Sequence, residues 1–229
     1  MSTMGIGVVG AGVMGIGIAQ IAALAGHPVL LLDAREGAAA AAIASLGDQL
    51  AKLVAKGKLQ ASDCASALAR LQVADGLGAL AGCGLVIEAI VEKPEPKQAL
   101  LRDLDALLPP TALLASNTSS ISITLLANGL AHPERLVGMH FFNPVPLMQL
   151  VEVVSGAEPA PAAAQQVEAL ARAWGKTPVQ AASTPGFIVN RIARPYYAES
   201  LQLLLERAAT PAELDACLRS AGFAWAPAS

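Results

Sequence analysis

Short runs of β-branched residues and leucine alternate along this chain with longer stretches whose apolar positions recur at helical spacing. The spacing predicts strands at Ile6–Val9, His27–Leu32, Leu85–Ile90, Ala112–Ser116 and Arg135–Phe142, with a short one starting at Val73. Between them it predicts helices at Val13–Leu24, Glu36–Lys56, Ser62–Ala69, Pro96–Leu108 and Ile123–Ala127. Gly26 stops the first of these, and Pro109 with Pro110 closes the fourth. Strand and helix in alternation imply a parallel sheet wrapped by helices. The rhythm breaks at Asn143-Pro144-Val145-Pro146, a turn signal followed directly by a strand at Leu150–Val154. So short a link makes this pair antiparallel, because a parallel crossover needs about a dozen residues.

A helix at Ala162–Trp174 and a strand at Pro178–Ala182 complete a first domain, expected over residues 1–183. Ser183-Thr184-Pro185-Gly186 reads as the linker to a second, all-helical domain over residues 184–229. There Phe187–Glu206 keeps helical spacing with a kink expected at Pro195. Thr210-Pro211-Ala212-Glu213 combines a Thr cap, a first-position Pro and a Glu three residues after the cap. Only seven residues follow Gly222, so the second domain reads as incomplete and the chain as C-terminally truncated.

Composition narrows the classes. Hydrophobic residues are 54% of the 229 and charged residues 14%, which excludes a disordered chain. Aromatics are 3%, so the core must be built from Leu, Val, Ile and Ala. The formal net charge of −3 offers no basic field for nucleic acid or an anionic membrane, and neither partner is expected. No secretory signal or uninterrupted membrane-length apolar run is evident. Cys64, Cys83 and Cys217 form no metal-binding spacing and fit a reducing cytoplasm.

Gly10-Ala11-Gly12-Val13-Met14-Gly15 lies between a predicted strand and a predicted helix. In that setting Gly10 makes a tight turn, Gly12 admits a diphosphate to the backbone, and Gly15 packs helix on sheet. The first-turn N–H groups, those of Val13 and Met14 included, then face the anion. Asp33 ends the second strand 18 residues beyond Gly15, where a carboxylate accepts from ribose hydroxyls and repels a 2′-phosphate. Together these predict a Rossmann-like, doubly wound, mostly parallel sheet with antiparallel strands at one end, binding NAD in preference to NADP. Arg35 works slightly against that preference, since a guanidinium pairs with phosphate. A flexible glycine turn and a helix-capping Asp33 are the plainer alternatives.

His140 and Glu152 are equidistant from Pro146. A turn centred there without a bulge sets them face to face across two strands. A carboxylate beside an imidazole fixes its tautomer and orientation, as a catalytic base requires, although a structural ion pair has the same spacing.

Five ordered segments now make a resemblance specific. They are Gly10–Gly17, Glu88-Ala89-Ile90-Val91-Glu92, Ser116-Asn117-Thr118-Ser119-Ser120, His140–Pro144 and Pro185–Arg191. From residue 5 to about 222 the chain resembles the 3-hydroxyacyl-CoA dehydrogenase family. Arg194-Pro195-Tyr196-Tyr197-Ala198-Glu199 further resembles the bacterial phenylacetate-degradation branch, whose members oxidise 3-hydroxyadipyl-CoA. The resemblance implies NAD as cofactor, a 3-hydroxyacyl-CoA as substrate, His140 as base and Glu152 as its partner. It places Ser119 and Asn190 at or beside the reacting oxygen. It lines the nicotinamide side with Glu92, Lys97, Ser119 and Asn143, and sets Lys52 and Lys56 near the CoA phosphates. Without it, Glu92 and Lys97 read equally as solvated charges, Ser116–Ser120 as a helix cap, and the lysines as a solvated helix face. Members of this family are typically homodimers, a state the short second domain puts in question. A non-catalytic NAD-binding relative is the rival reading for the same reason.

Overall fold

The computed structural model describes residues 4–157 and 161–223. Of the seven residues after Gly222, only Phe223 is among those described. Two compact units divide between Pro185 and Gly186.

The first unit is built on eight strands: β1 (Ile6–Val9), β2 (Val29–Leu32), β3 (Leu71–Val73), β4 (Leu85–Glu88), β5 (Leu113–Ser116), β6 (Leu136–Phe141), β7 (Leu150–Ser155) and β8 (Thr177–Ala182). Their spatial order is β3-β2-β1-β4-β5-β6-β7-β8. All neighbours are parallel except β6 and β7. Every residue of β1, β4, β5 and β6 is buried, as strands covered by helices on both faces require. The helices are α1 (Val13–Leu24), α2 (Ala38–Ala55), α3 (Ala61–Ala69), α4 (Pro94–Leu107), α5 (Ile123–Ala127) and α6 (Pro161–Ala173). Chain order reverses between β1 and β4, and the crevice beyond their carboxyl ends is where such sheets take ligands.

Several boundaries depart from the sequence pattern for identifiable reasons. β2 begins at Val29 rather than His27, because the His27 N–H closes the end of α1 on the Ala22 carbonyl. β4 stops at Glu88 rather than Ile90, because the Glu88 carboxylate takes the Ile90 N–H and turns the chain. Val73 ends β3 instead of starting it. α4 begins at Pro94, a favoured first helical residue, two positions before the expected start. α2 reaches a mean hydropathy of 1.2 over 18 residues, so its length and composition alone would allow a membrane span. It carries Asp48 and Lys52 and buries Leu46 and Leu50 in the core of this unit.

The second unit contains α7 (Val189–Leu205) and α8 (Pro211–Ser220). α7 continues through Pro195, and the Ser200 hydroxyl donates to the Tyr196 carbonyl at 2.7 Å. Thr210 and Glu213 form the reciprocal capping box that opens α8. Ile192, Leu201 and Leu205 of α7 are exposed.

Candidate active site

Gly10 sits at φ +106, and a Cβ there would strike the Ala89 carbonyl. β1 can therefore turn only on glycine, tight against the end of β4. Gly12 caps α1 without a side-chain bond and has open space where a Cβ would stand. No acidic residue lies in the first turn of α1. This is the cradle a diphosphate needs: open backbone, unspent first-turn N–H groups at Val13 and Met14, and a helix dipole pointing at the anion. Gly15 makes the helix-on-sheet approach expected of it and a second, closer one. A Cβ at Gly15 would run into the Gly10 carbonyl, so the third glycine closes α1 on the glycine turn itself as well as on the sheet at Val8.

Asp33 follows β2 and reaches the same turn. Its Oδ2 accepts from the Ala11 N–H at 2.7 Å, and its Oδ1 accepts from the Arg35 N–H and Nε at 2.9 and 3.0 Å. The Arg35 side chain holds the Asp33 carboxyl at about 2, so it is ionised wherever the protein is folded near neutrality. Arg35, the residue expected to soften rejection of a 2′-phosphate, is forked onto that carboxylate.

The antiparallel pair sets His140 opposite Glu152, the register read from the spacing about Pro146. His140 Nδ1 lies 2.6 Å from Glu152 Oε2, and both side chains are buried. An ionised carboxylate only accepts, so Nδ1 carries the proton and Nε2 is the ring's basic nitrogen. The Phe142 ring flanks the imidazole at 4.5 Å between centroids. The Asn117 amide oxygen accepts from the Phe141 N–H at 2.9 Å and ties the top of β6 to the segment after β5.

A second charged cluster organises the ends of β4 and β5. Glu88 is fully buried, and its Oε1 accepts from Lys97 Nζ at 2.6 Å and the Ile90 N–H at 2.7 Å. Its Oε2 accepts from the Ser116 hydroxyl at 2.6 Å. Lys97 is 1% exposed and extends to Glu92 Oε2 at 3.2 Å. Glu92 Oε1 gathers the Thr118 hydroxyl at 2.7 Å, the Ser119 N–H at 2.8 Å and the Ser119 hydroxyl at 3.1 Å. Burial alone would raise the Glu92 carboxyl. The Thr118 hydroxyl, the Ser119 N–H and the Lys97 ammonium outweigh it and leave Glu92 below the usual carboxylate range. Lys97 is therefore no solvated charge: it is the buried cation between two carboxylates, and Ser119 hangs from the outer one.

Asn143, Lys52, Lys56 and Asn190 are the other residues expected at the site. Asn143 is exposed on the link between β6 and β7. Lys52 and Lys56 are exposed at the C-terminal end of α2. Asn190 is the second residue of α7, in the second unit. A cavity of about 610 Å³ is lined by Ile123, Leu125, Asn128, Leu136 and Gly156 and contains none of the site residues.

Sequence reasoning missed Glu88, Asn117 and Gly17 as individual contributors. An acid closing a fully apolar strand was the available signal for Glu88. Gly17 lies in α1 where a Cβ would come 2.8 Å from Val145 Cβ. It admits the β6–β7 link against the nucleotide helix, which joins the glycine turn to the His140–Glu152 pair.

Comparison with known proteins identifies the family and the fold. Residues 5–184 match the family described as 3-hydroxyacyl-CoA dehydrogenase, NAD binding domain, and residues 186–229 match the corresponding C-terminal domain. A 3-hydroxyadipyl-CoA dehydrogenase from Escherichia coli K12 is 49% identical over 97% of this chain and 47% of its own length. A probable 3-hydroxybutyryl-CoA dehydrogenase from Deinococcus radiodurans is 41% identical over 94% of this chain and 77% of its own. Among solved structures, a 3-hydroxybutyryl-CoA dehydrogenase from E. coli K12 superposes with a TM-score of 0.96 at 48% identity, covering 99% of this chain and 48% of that one. An (S)-3-hydroxybutyryl-CoA dehydrogenase from Ralstonia eutropha gives 0.96 at 39% identity, covering 99% and 80%. The chain thus spans about half the length of the two E. coli relatives.

Proposed function

The chain belongs to the 3-hydroxyacyl-CoA dehydrogenase family, and from that premise we propose that it oxidises an (S)-3-hydroxyacyl-CoA reversibly to the 3-oxoacyl-CoA with NAD. The observation that carries the proposal is the buried His140–Glu152 pair at 2.6 Å, in one unit with an open glycine turn and an ionised Asp33. Bound NAD supplies the acceptor for the hydride leaving C3. Gly10, Gly12 and Gly15, with the N–H groups of Val13 and Met14, hold its diphosphate, and Asp33 takes its ribose hydroxyls.

The chain's own part is proton transfer and placement. His140 accepts the C3 hydroxyl proton on Nε2 as the C3–O bond becomes a carbonyl, and Glu152 stabilises the resulting imidazolium. Such base catalysis contributes roughly 10²–10⁴-fold, and orientation of the reacting groups supplies more. Glu92, Ser119 and Asn143 line the nicotinamide side, with Lys97 acting through Glu92. Ser119 also serves the reacting oxygen. Asn190, in the same role, and Lys52 and Lys56, for the CoA phosphates, are assigned by their motifs alone.

Names among the relatives differ in the acyl group, adipyl against butyryl, so the substrate class is the thioester rather than one acid. We place the reaction in the cytoplasm, with the free thiols of Cys64, Cys83 and Cys217 as support. The test is NADH absorbance on adding acetoacetyl-CoA and 3-oxoadipyl-CoA. Consumption with either supports the reading. NADH binding without consumption of either would favour the non-catalytic NAD-binding alternative.

A further inference from the structure

Two further buried cations among the described residues take no part in the proposed chemistry: Arg135, which is paired with the Asp105 carboxylate, and Lys176, which is set against backbone carbonyls. Lys176 follows α6 at the start of β8 and is 8% exposed. Its Nζ donates to the Val145 carbonyl at 2.5 Å and to the Met148 carbonyl at 2.9 Å. Burial lowers its pKa, so the site costs the ammonium hydration that these two carbonyls replace. An ammonium placed on backbone carbonyls, in a chain with ample exposed surface for lysine, is an expensive way to fill space. Its targets explain the placement. Both carbonyls belong to the link between β6 and β7, which carries Asn143 and separates His140 from Glu152.

That link is held at a second point. The Val145 side chain occupies the space where a Cβ at Gly17 of α1 would stand, 2.8 Å from its own Cβ. The Gln149 carbonyl accepts from the Thr177 N–H at 2.8 Å, next to Lys176 in sequence. One short segment is thus clamped between the nucleotide helix on one side and the α6–β8 junction on the other.

We infer that Lys176 is a positioning residue: its ammonium draws the β6–β7 link onto α1 and so holds Asn143 and the His140–Glu152 pair in register with the dinucleotide site. This rests on the proposed function, and its test must fail separately from that reading. Lys176→Met removes the donors with little change of volume. Lys176→Arg restores charged donors, and a cavity of about 410 Å³ lined by Ile21, Leu24, Pro146, Leu147, Trp174 and Lys176 has room for the larger head.

Two readouts apply. One is the NADH dissociation constant by fluorescence titration. The other is the low-field proton signal of the His140–Glu152 hydrogen bond, assigned by its loss in His140→Gln and measured without cofactor. Lys176→Met should weaken NADH about tenfold, the equivalent of one charge-assisted hydrogen bond. It should also shift or broaden the low-field signal, and Lys176→Arg should recover most of both. A folded Lys176→Met with a lower melting temperature, an unchanged signal and unchanged NADH affinity would overturn the inference and leave Lys176 a stabilising residue only. If Lys176→Met does not fold, Lys176→Gln, which keeps an N–H₂ donor, is judged by the same two readouts. Failure of the parent protein to bind NADH would refute the proposed function instead, while the proton signal would still decide the role of Lys176.

Discussion

Replacing Lys97 by methionine isolates the electrostatics beneath the nicotinamide side of the site. Glu88 is fully buried, and Lys97 is its cation at 2.6 Å. Methionine fills nearly the same volume but leaves the Glu88 carboxylate with two neutral donors, the Ile90 N–H and the Ser116 hydroxyl. Removing one partner of a buried ion pair typically costs about 3–5 kcal/mol, most of it the penalty of an uncompensated charge. In a unit of 185 residues each kcal/mol lowers the melting temperature by roughly 2–4 °C, so a fall of roughly 6–20 °C is expected.

Glu92 also loses its cation, so NADH affinity should fall in the same variant. The double change Glu88→Gln with Lys97→Met removes both charges and keeps a side-chain amide for the neighbouring donors. It should be more stable than Lys97→Met alone by roughly 1–3 kcal/mol, the coupling expected of residues in direct contact. Differential scanning calorimetry on the three proteins reads this directly. A fall of under about 2 °C in Lys97→Met, or a double change that simply adds a second penalty, would refute the reasoning.

The other expectations concern the cofactor, the core and acid stability. Asp33→Ala should lower the preference for NADH over NADPH by about tenfold or more, because it removes the ribose acceptor and releases Arg35 from its fork. An unchanged ratio of the two dissociation constants would count against that role. Gly17→Ala should destabilise by roughly 1–3 kcal/mol through overlap with Val145, despite about 1 kcal/mol of helix propensity in its favour. A higher urea midpoint would contradict it.

Asp105 accepts from buried Arg135 at 2.7 Å. Burial would raise its carboxyl, but Arg135 and the N–H groups of Ala131 and His132 outweigh that and hold it below 3.8. A carboxyl lowered on folding stabilises fully above its unfolded value and loses that contribution as pH falls through its folded one. Asp105→Asn should therefore cost about 3 kcal/mol at neutral pH, and its deficit against the parent should shrink below pH 3.8. A deficit independent of pH would exclude the charge as its source.

The nearest-neighbour parts of this fold were legible because their signals are local. Val13–Leu24 is helical between two glycines as read, and the Thr210–Glu213 box forms as its spacing requires. The facing of His140 and Glu152 followed from symmetry about one turn, since side chains in a strand pair alternate with a fixed period of two. What stayed hidden joins distant segments. Lys97 meets Glu88 nine residues away and Lys176 meets Val145 thirty-one away, with no pattern in either stretch to announce the meeting. The strand ends at Val29 and Glu88 moved for a local reason: the His27 N–H is taken by the Ala22 carbonyl and the Ile90 N–H by the Glu88 carboxylate, bonds that the hydrophobic run does not announce.

The measurement that bears most directly on the central claim compares the parent protein with His140→Gln, following NADH oxidation by acetoacetyl-CoA alongside NADH binding. The account predicts that the variant binds NADH within about threefold of the parent and turns over roughly 10²–10⁴-fold more slowly. Near-parental turnover in His140→Gln would contradict it.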